Sequence, residues 1–149
     1  MTQRPGYAAI TPYLVCRDAH AAILYYGKHF GAIERYRLPL PDGALAHAEI
    51  EINGMVLMIA DEVEAWNIVS PLTLGGSPVS LNIYVDDCDA VFAALLADGA
   101  KQLSPVEDQF HGDRSGKLRD PFGHIWHIAT NNENLGSDEV VARFAKMIG

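Results

Sequence analysis

Seven residues of this chain occur twice in recognisable form. Gly54-Met55-Val56-Leu57-Met58-Ile59-Ala60 is matched 69 positions later by Gly123-His124-Ile125-Trp126-His127-Ile128-Ala129, with Gly, Ile and Ala coinciding. A chain that repeats itself is read as two copies of one supersecondary unit before any single element is assigned. The later copy sits in the stretch Gly112 to Ala129, which reads as strand, tight turn, strand. Asp120-Pro121-Phe122-Gly123 supplies the turn, because Pro presets φ and Gly takes a conformation closed to other residues.

Extending both copies outward gives the same order of elements. In the first, Ile10 to Cys16 is a β-prone strand and Asp18 caps a helix. Ala19, Ala22, Ile23, Tyr26 and Phe30 recur at helical spacing, and Gly31 ends the run. Ile33 to Leu38 is a strand. In Ala46 to Ile52, small or apolar residues alternate with His47, Glu49 and Glu51, the pattern of a half-buried strand. Asn53-Gly54 is a hairpin turn, and Val56 to Ala60 completes β-α-β-β-β. In the second copy the strand is Val79 to Val85 and the helix Asp87 to Asp98. A short strand, Lys101 to Ser104, follows, then Lys117 to Arg119 leading into the turn, then Ile125 to Ala129. The predicted organisation is one domain over residues 8–131, with module one at 8–61, a linker at 62–77 and module two at 78–131. A helical tail follows at 132–149. In the tail, Ser137 is the expected N-cap and Val140, Val141, Phe144 and Met147 form a stripe that must pack on the body or on another subunit.

With 149 residues and 49% hydrophobic content the chain is long enough to bury a core without staples. A net charge of −8 argues against a nucleic-acid backbone as partner, since such sites concentrate Lys and Arg. No run approaches a membrane span or a signal peptide, so neither membrane nor export is expected and the expected location is cytoplasmic. Cys16 and Cys88 are too few for a disulfide framework and are read as buried free thiols.

Paired β-α-β-β-β modules ending in a D-P-x-G hairpin resemble the vicinal oxygen chelate superfamily, which includes glyoxalases, bleomycin-resistance proteins and extradiol dioxygenases. The likeness rests on Leu14-Val15-Cys16-Arg17-Asp18, on Tyr84-Val85-Asp86-Asp87 and on Leu118-Arg119-Asp120-Pro121-Phe122-Gly123-His124. The strings Gly75 to Leu81 and His111-Gly112-Asp113-Arg114, with the helical tail, are similar to its PhnB-like branch. The resemblance implies an α+β fold of two tandem modules forming a cup-shaped mixed sheet, with a C-terminal helix. It also implies a homodimer and a small-molecule ligand.

In the enzymes of that family a divalent metal is held by four side chains, one on the first and one on the last strand of each module. Carried onto this sequence, those positions fall on Thr11, Met58, Ser80 and His127. Thr and Ser hydroxyls are weak ligands and Met suits soft metals. A lone His does not hold a divalent cation that ordinarily takes three protein ligands. No cofactor is therefore expected, a divalent metal being the alternative. Glu49 and His127 are the candidate acid or base groups, and a carboxylate held in a cavity is expected to have a raised pKa. His47, Glu49 and His127 together form a rival metal set. Arg114 is read as a ligand-pairing cation or as half of an Arg-Asp ion pair. Trp66 is read as an apolar lid or a dimer contact. Three functions remain open: a metal-free small-molecule-binding protein, a metal-dependent glyoxalase- or dioxygenase-type enzyme with a displaced metal site, and a metal-independent enzyme using Glu49 or His127. Either enzyme is a lyase, isomerase or oxidoreductase.

Overall fold

In the computed structural model, which describes residues 2–149, the chain divides into two compact units, one ending at Ser77 and the other running from Pro78 to Gly149. The first contains β1 (Tyr13–Cys16), α1 (Ala19–Phe30), β2 (Ile33–Pro39), β3 (Leu45–Ile52) and β4 (Met55–Asp61), then a 3-10 turn at Glu64–Trp66 and a short helix α2 (Pro71–Leu74). The second contains β5 (Ser80–Tyr84), α3 (Cys88–Ala97), β6 (Lys101–Asp108), β7 (Asp113–Arg119), β8 (Ile125–Asn131) and the terminal helix α4 (Ser137–Ile148). Each unit carries its own mixed sheet, ordered β1-β4-β3-β2 and β5-β8-β7-β6. In each, the first strand runs parallel to the last, and the remaining pairs are antiparallel.

The repeat reaches individual hydrogen bonds. Asp18 caps α1 by accepting from the Ala21 N–H at 2.9 Å, and Asp87 caps α3 by accepting from the Ala90 N–H at 3.0 Å. A second anchor comes from the last strand of each unit. Asp61 accepts from the Ala19 N–H at 2.6 Å, and the Thr130 hydroxyl accepts from the Cys88 N–H at 3.0 Å. Both satisfy helix-terminal donors that have no partner within the helix. They also tie the helix start to the strand beside which it must cross.

Alternation along the strands then decides which face each helix covers. Leu14, Cys16, Ala48, Ile50 and Ile59 are buried with Tyr26 in the first unit. Leu118, Trp126 and Ile128 are buried with Phe92 and Leu95 in the second. Cys16 and Cys88 are buried and form no disulfide. Gly116 permits the closest approach. A Cβ there would stand 2.7 Å from Cε2 of Phe92 and 2.9 Å from Cγ2 of Val106. Gly116→Ala is expected to cost about 2 kcal/mol through this overpacking, read as a lower urea midpoint at unchanged slope. A variant as stable as the parent would mean that α3 does not pack this tightly on β7.

Several boundaries differ from the sequence reading. The first strand starts at Tyr13 rather than Ile10, which is largely exposed. Pro12 has no N–H to give the ladder, though its carbonyl accepts from the Met58 N–H at 2.9 Å. β6 continues to Asp108 through Pro105. It can do so because it is an edge strand and its register against β7 shifts on both sides of Ser104. Residues 62–77 are more ordered than a plain linker: Glu62 accepts from the Ser70 N–H and the Thr73 hydroxyl, both at 3.0 Å. Gly136, not Ser137, occupies the N-cap of α4, with no side-chain cap bond. Of the α4 stripe, Phe144 meets the Phe110 ring at 5.5 Å, while Val141 and Met147 are exposed. No helix is long and apolar enough to cross a membrane.

Candidate functional site

The sheet face opposite each helix carries the polar residues. In the first unit, β3 turns Ala48 and Ile50 under α1 and sends His47, Glu49 and Glu51 the other way. Glu49 is nevertheless 0% exposed. Tyr7, from the segment preceding β1, donates its hydroxyl to Oε2 at 2.5 Å, and Tyr36 of β2 donates to Oε1 at 2.7 Å. His47 Nε2 lies 3.3 Å from Oε1, and its Nδ1 lies 2.6 Å from the Tyr13 hydroxyl. A proton on Nε2 satisfies both contacts at once. Burial works to raise the Glu49 pKa, but the hydrogen bonds from Tyr7, Tyr36 and His47 outweigh it and hold the carboxyl below its ordinary value. The expected upward shift is thus reversed. A carboxylate that accepts several hydrogen bonds is stabilised in its charged form. Glu49 is therefore an ionised acceptor near neutral pH rather than a proton donor. Its demand in turn pushes the Tyr7 phenol pKa upward, with burial adding to the shift.

In the second unit, His127 of β8 lies between Asn82 of β5 and Lys117 of β7 in the strand register. Burial, and then the charge of Lys117, lower the His127 pKa, so the imidazole is neutral near pH 7. A concavity of about 350 Å³ opens here, its lining including Ser104, Glu107, Gln109, Ser115, Lys117 and His127. Arg114 makes ion pairs in this structure. It points to the helix side, where it holds Asp89 of α3 through Nε at 2.7 Å and Nη2 at 2.9 Å, with Asp108 at 3.1 Å from Nη1. Asp113 accepts from the Tyr84 hydroxyl at 2.9 Å and the Asn131 amide at 2.7 Å, which fixes the start of β7.

The residues carried over at the four chelate positions have these places. Met58 lies on β4, flanked in register by Tyr13 and Glu49. Thr11 lies before β1, its hydroxyl donating to the Ala8 carbonyl at 3.3 Å. Ser80 opens β5 opposite Ile125 rather than His127. The register neighbours of Met58 and His127 on the first strands are thus Tyr13 and Asn82, two residues further along than Thr11 and Ser80. Trp66 stands exposed at the end of its 3-10 turn. Sequence reasoning passed over Tyr7, Tyr13, Tyr36, Asn82 and Lys117. The parity of β7 would have reached Lys117, whereas Tyr7 gives no local signal.

A hard divalent cation needs about three His, Asp or Glu donors. Among the described residues no such group of three is gathered. Around Met58 the neighbours are a phenol and a carboxylate whose two oxygens already accept hydrogen bonds. Around His127 they are an amide and an ammonium, and the ammonium repels a second cation. The donor set does not fit such an ion.

A family model described as the Glyoxalase/Bleomycin resistance protein/Dioxygenase superfamily matches residues 6–128. An uncharacterized protein of Mycobacterium bovis is 42% identical over 137 residues, covering 90% of this chain and 90% of that protein. The PhnB protein of Bacillus cereus, described as a putative 3-demethylubiquinone-9 3-methyltransferase, matches with a TM-score of 0.67 at 22% identity, over 83% of this chain and 99% of that one. The fosfomycin resistance protein FosX of Listeria monocytogenes, solved with Mn(II) and sulfate, matches with a TM-score of 0.67 at 15% identity, over 92% of this chain and 97% of that one. At these identities the two structures speak for the fold alone.

Proposed function

The chain belongs to the glyoxalase/bleomycin resistance protein/dioxygenase superfamily, and from that premise we propose that it binds a small polar molecule around His127 without the divalent metal its enzyme relatives use. The observation that carries the reading is Lys117, which stands directly beside His127 in the sheet. An ammonium at that point opposes a metal cation and favours an anionic or strongly dipolar group. The neutral imidazole can donate from one nitrogen and accept at the other. With Ser104, Ser115 and Gln109 on the same concavity the site offers several hydrogen bonds, and it carries one ammonium, Lys117, and one carboxylate, Glu107. That suits a dipolar ligand whose carboxylate or comparable anionic end pairs with Lys117 beside His127.

A second reading has one specific support. The depressed pKa leaves His127 able to accept a proton at neutral pH, which suits a general base in metal-independent chemistry.

The test has two parts. Untagged protein analysed for metals is expected to hold less than about a tenth of an equivalent per chain; a full equivalent that disappears in His127→Ala would overturn the metal-free reading. In a thermal-shift screen of small carboxylates and phosphates, ligands present at about a hundredfold over Kd are expected to stabilise the parent by about 2.7 kcal/mol. The same ligands are expected to stabilise Lys117→Ala much less. Equal stabilisation of the parent, Lys117→Ala and His127→Ala would remove the binding site from this location. Turnover of a screened ligand, lost in His127→Ala with binding retained, would favour the second reading.

A further inference from the structure

We propose that the first unit carries a site for an organic cation, an alkylguanidinium or alkylammonium group, which the chain's own Arg4 covers in this structure. The proposal concerns the first unit alone and stands independently of the ligand taken by His127. Its floor is Glu49, fully buried and ionised. A buried carboxylate is costly unless it is hydrogen-bonded, and a positive charge beside it adds ionic attraction. The hydrogen bonds are supplied by Tyr7, Tyr36 and His47. None of these is a permanent cation.

The positive charge comes from outside. Arg4 Nη1 stands 4.0 Å from Glu49 Oε1, a distance at which the two charges attract without a close hydrogen bond. The Arg4 side chain is 65% exposed and lies on the irregular segment ahead of β1. Its guanidinium carbon lies 4.8 Å from the centroid of the Tyr7 ring, and that of Arg35 lies 5.2 Å from the same ring. Tyr13 and Tyr36 flank His47, with ring centroids 5.4 and 5.9 Å away. An electron-rich ring face beside a desolvated carboxylate, here Tyr7 beside Glu49, forms the surroundings in which an organic cation is held by cation–π and ionic attraction together. An anion would be repelled by Glu49, and a neutral molecule would gain neither the ionic nor the cation–π attraction. Arg4 already uses this chemistry from a tethered and mostly hydrated position. A free cation of the same kind can compete for the place if Arg4 withdraws.

The competition makes the proposal testable without knowing the natural ligand. The probe is n-butylguanidinium, with n-butylurea as its neutral counterpart, titrated calorimetrically into the full chain. Arg4→Ala is expected to bind n-butylguanidinium about tenfold more tightly than the parent, because the occupied fraction of the site is released. n-Butylurea is expected not to bind either protein. Adding Glu49→Gln to Arg4→Ala is expected to abolish the gain, with circular dichroism confirming the fold. Unchanged affinity in Arg4→Ala, equal binding of n-butylurea, or a gain that survives Glu49→Gln would each overturn the proposal. Should Glu49→Gln not fold, the Arg4→Ala and n-butylurea comparisons decide it.

Discussion

Glu49→Ala is expected to lower the unfolding free energy by about 3 kcal/mol, because it takes the acceptor from several buried or part-buried donors at once. Tyr7, Tyr36 and His47 all direct hydrogen bonds to this carboxylate, and two of them come from outside β3. The loss therefore also frees the segment that carries Tyr7. Urea unfolding gives the magnitude, and proteolysis ahead of β1 reports the freed segment. A loss under about 1 kcal/mol would mean that Tyr7 and Tyr36 find water as readily as they find Glu49. The effect has a definite pH dependence. The folded-state pKa of Glu49 lies below its ordinary value, so its contribution is fully present above the usual glutamate range. It is lost as pH falls through the lowered folded value. The stability gap between parent and variant should accordingly close on acidification. A gap that is constant from neutral to strongly acidic pH would assign the effect to lost packing instead of the charge.

Asp120→Ala is expected to cost a similar amount, about 3 kcal/mol, at the hairpin between β7 and β8. One carboxylate oxygen of the buried Asp120 accepts from the Phe122 and His124 N–H groups at 2.9 and 3.0 Å. The other accepts from the indole Nε1–H of buried Trp126 at 2.9 Å. The side chain thus holds the turn closed and orients the largest residue under α3 with the same group. Asp120→Asn keeps an acceptor for part of this network and is expected to lose about 1 kcal/mol. Urea midpoints rank the two variants, and tryptophan fluorescence reports whether Trp126 remains sheltered. If Asn and Ala were equally harmful, the charge would matter more than the acceptor geometry. If neither mattered, the turn would be held by Pro121 and Gly123 alone.

The hairpin shows what was legible in the residues. Asp-Pro-Phe-Gly declares a turn because its backbone preferences are local, and Gly123 indeed sits at φ 92°. Asp18 declares a helix start for the same reason and makes the expected cap, while Asp87, read as the first residue of the second helix, turns out to cap it. Other boundaries depended on the neighbouring strand. Pro105 lies inside β6 because that strand is at an edge, which no local signal states. Thr11 and Ser80 follow from the family resemblance, which carries no register, whereas the parallel pairing sets Tyr13 beside Met58 and Asn82 beside His127. The pKa of Glu49 took the opposite direction from the one expected, since its sign depends on Tyr7, 42 positions away in the chain.

The sequence by itself determined the architecture: two β-α-β-β-β modules, their order, their helix starts and the hairpin that closes the second. Repetition, alternation and turn chemistry are short-range properties, and they are written in consecutive residues. The register between strands that are distant in sequence, the caging of Glu49 by three tyrosine- and histidine-bearing elements, and the placing of Lys117 against His127 were decided by the tertiary structure. Those are through-space relations. They exist only once loops have closed and side chains from separate elements are stripped of water together, and it is there that charge, hydrogen bonding and pKa are set.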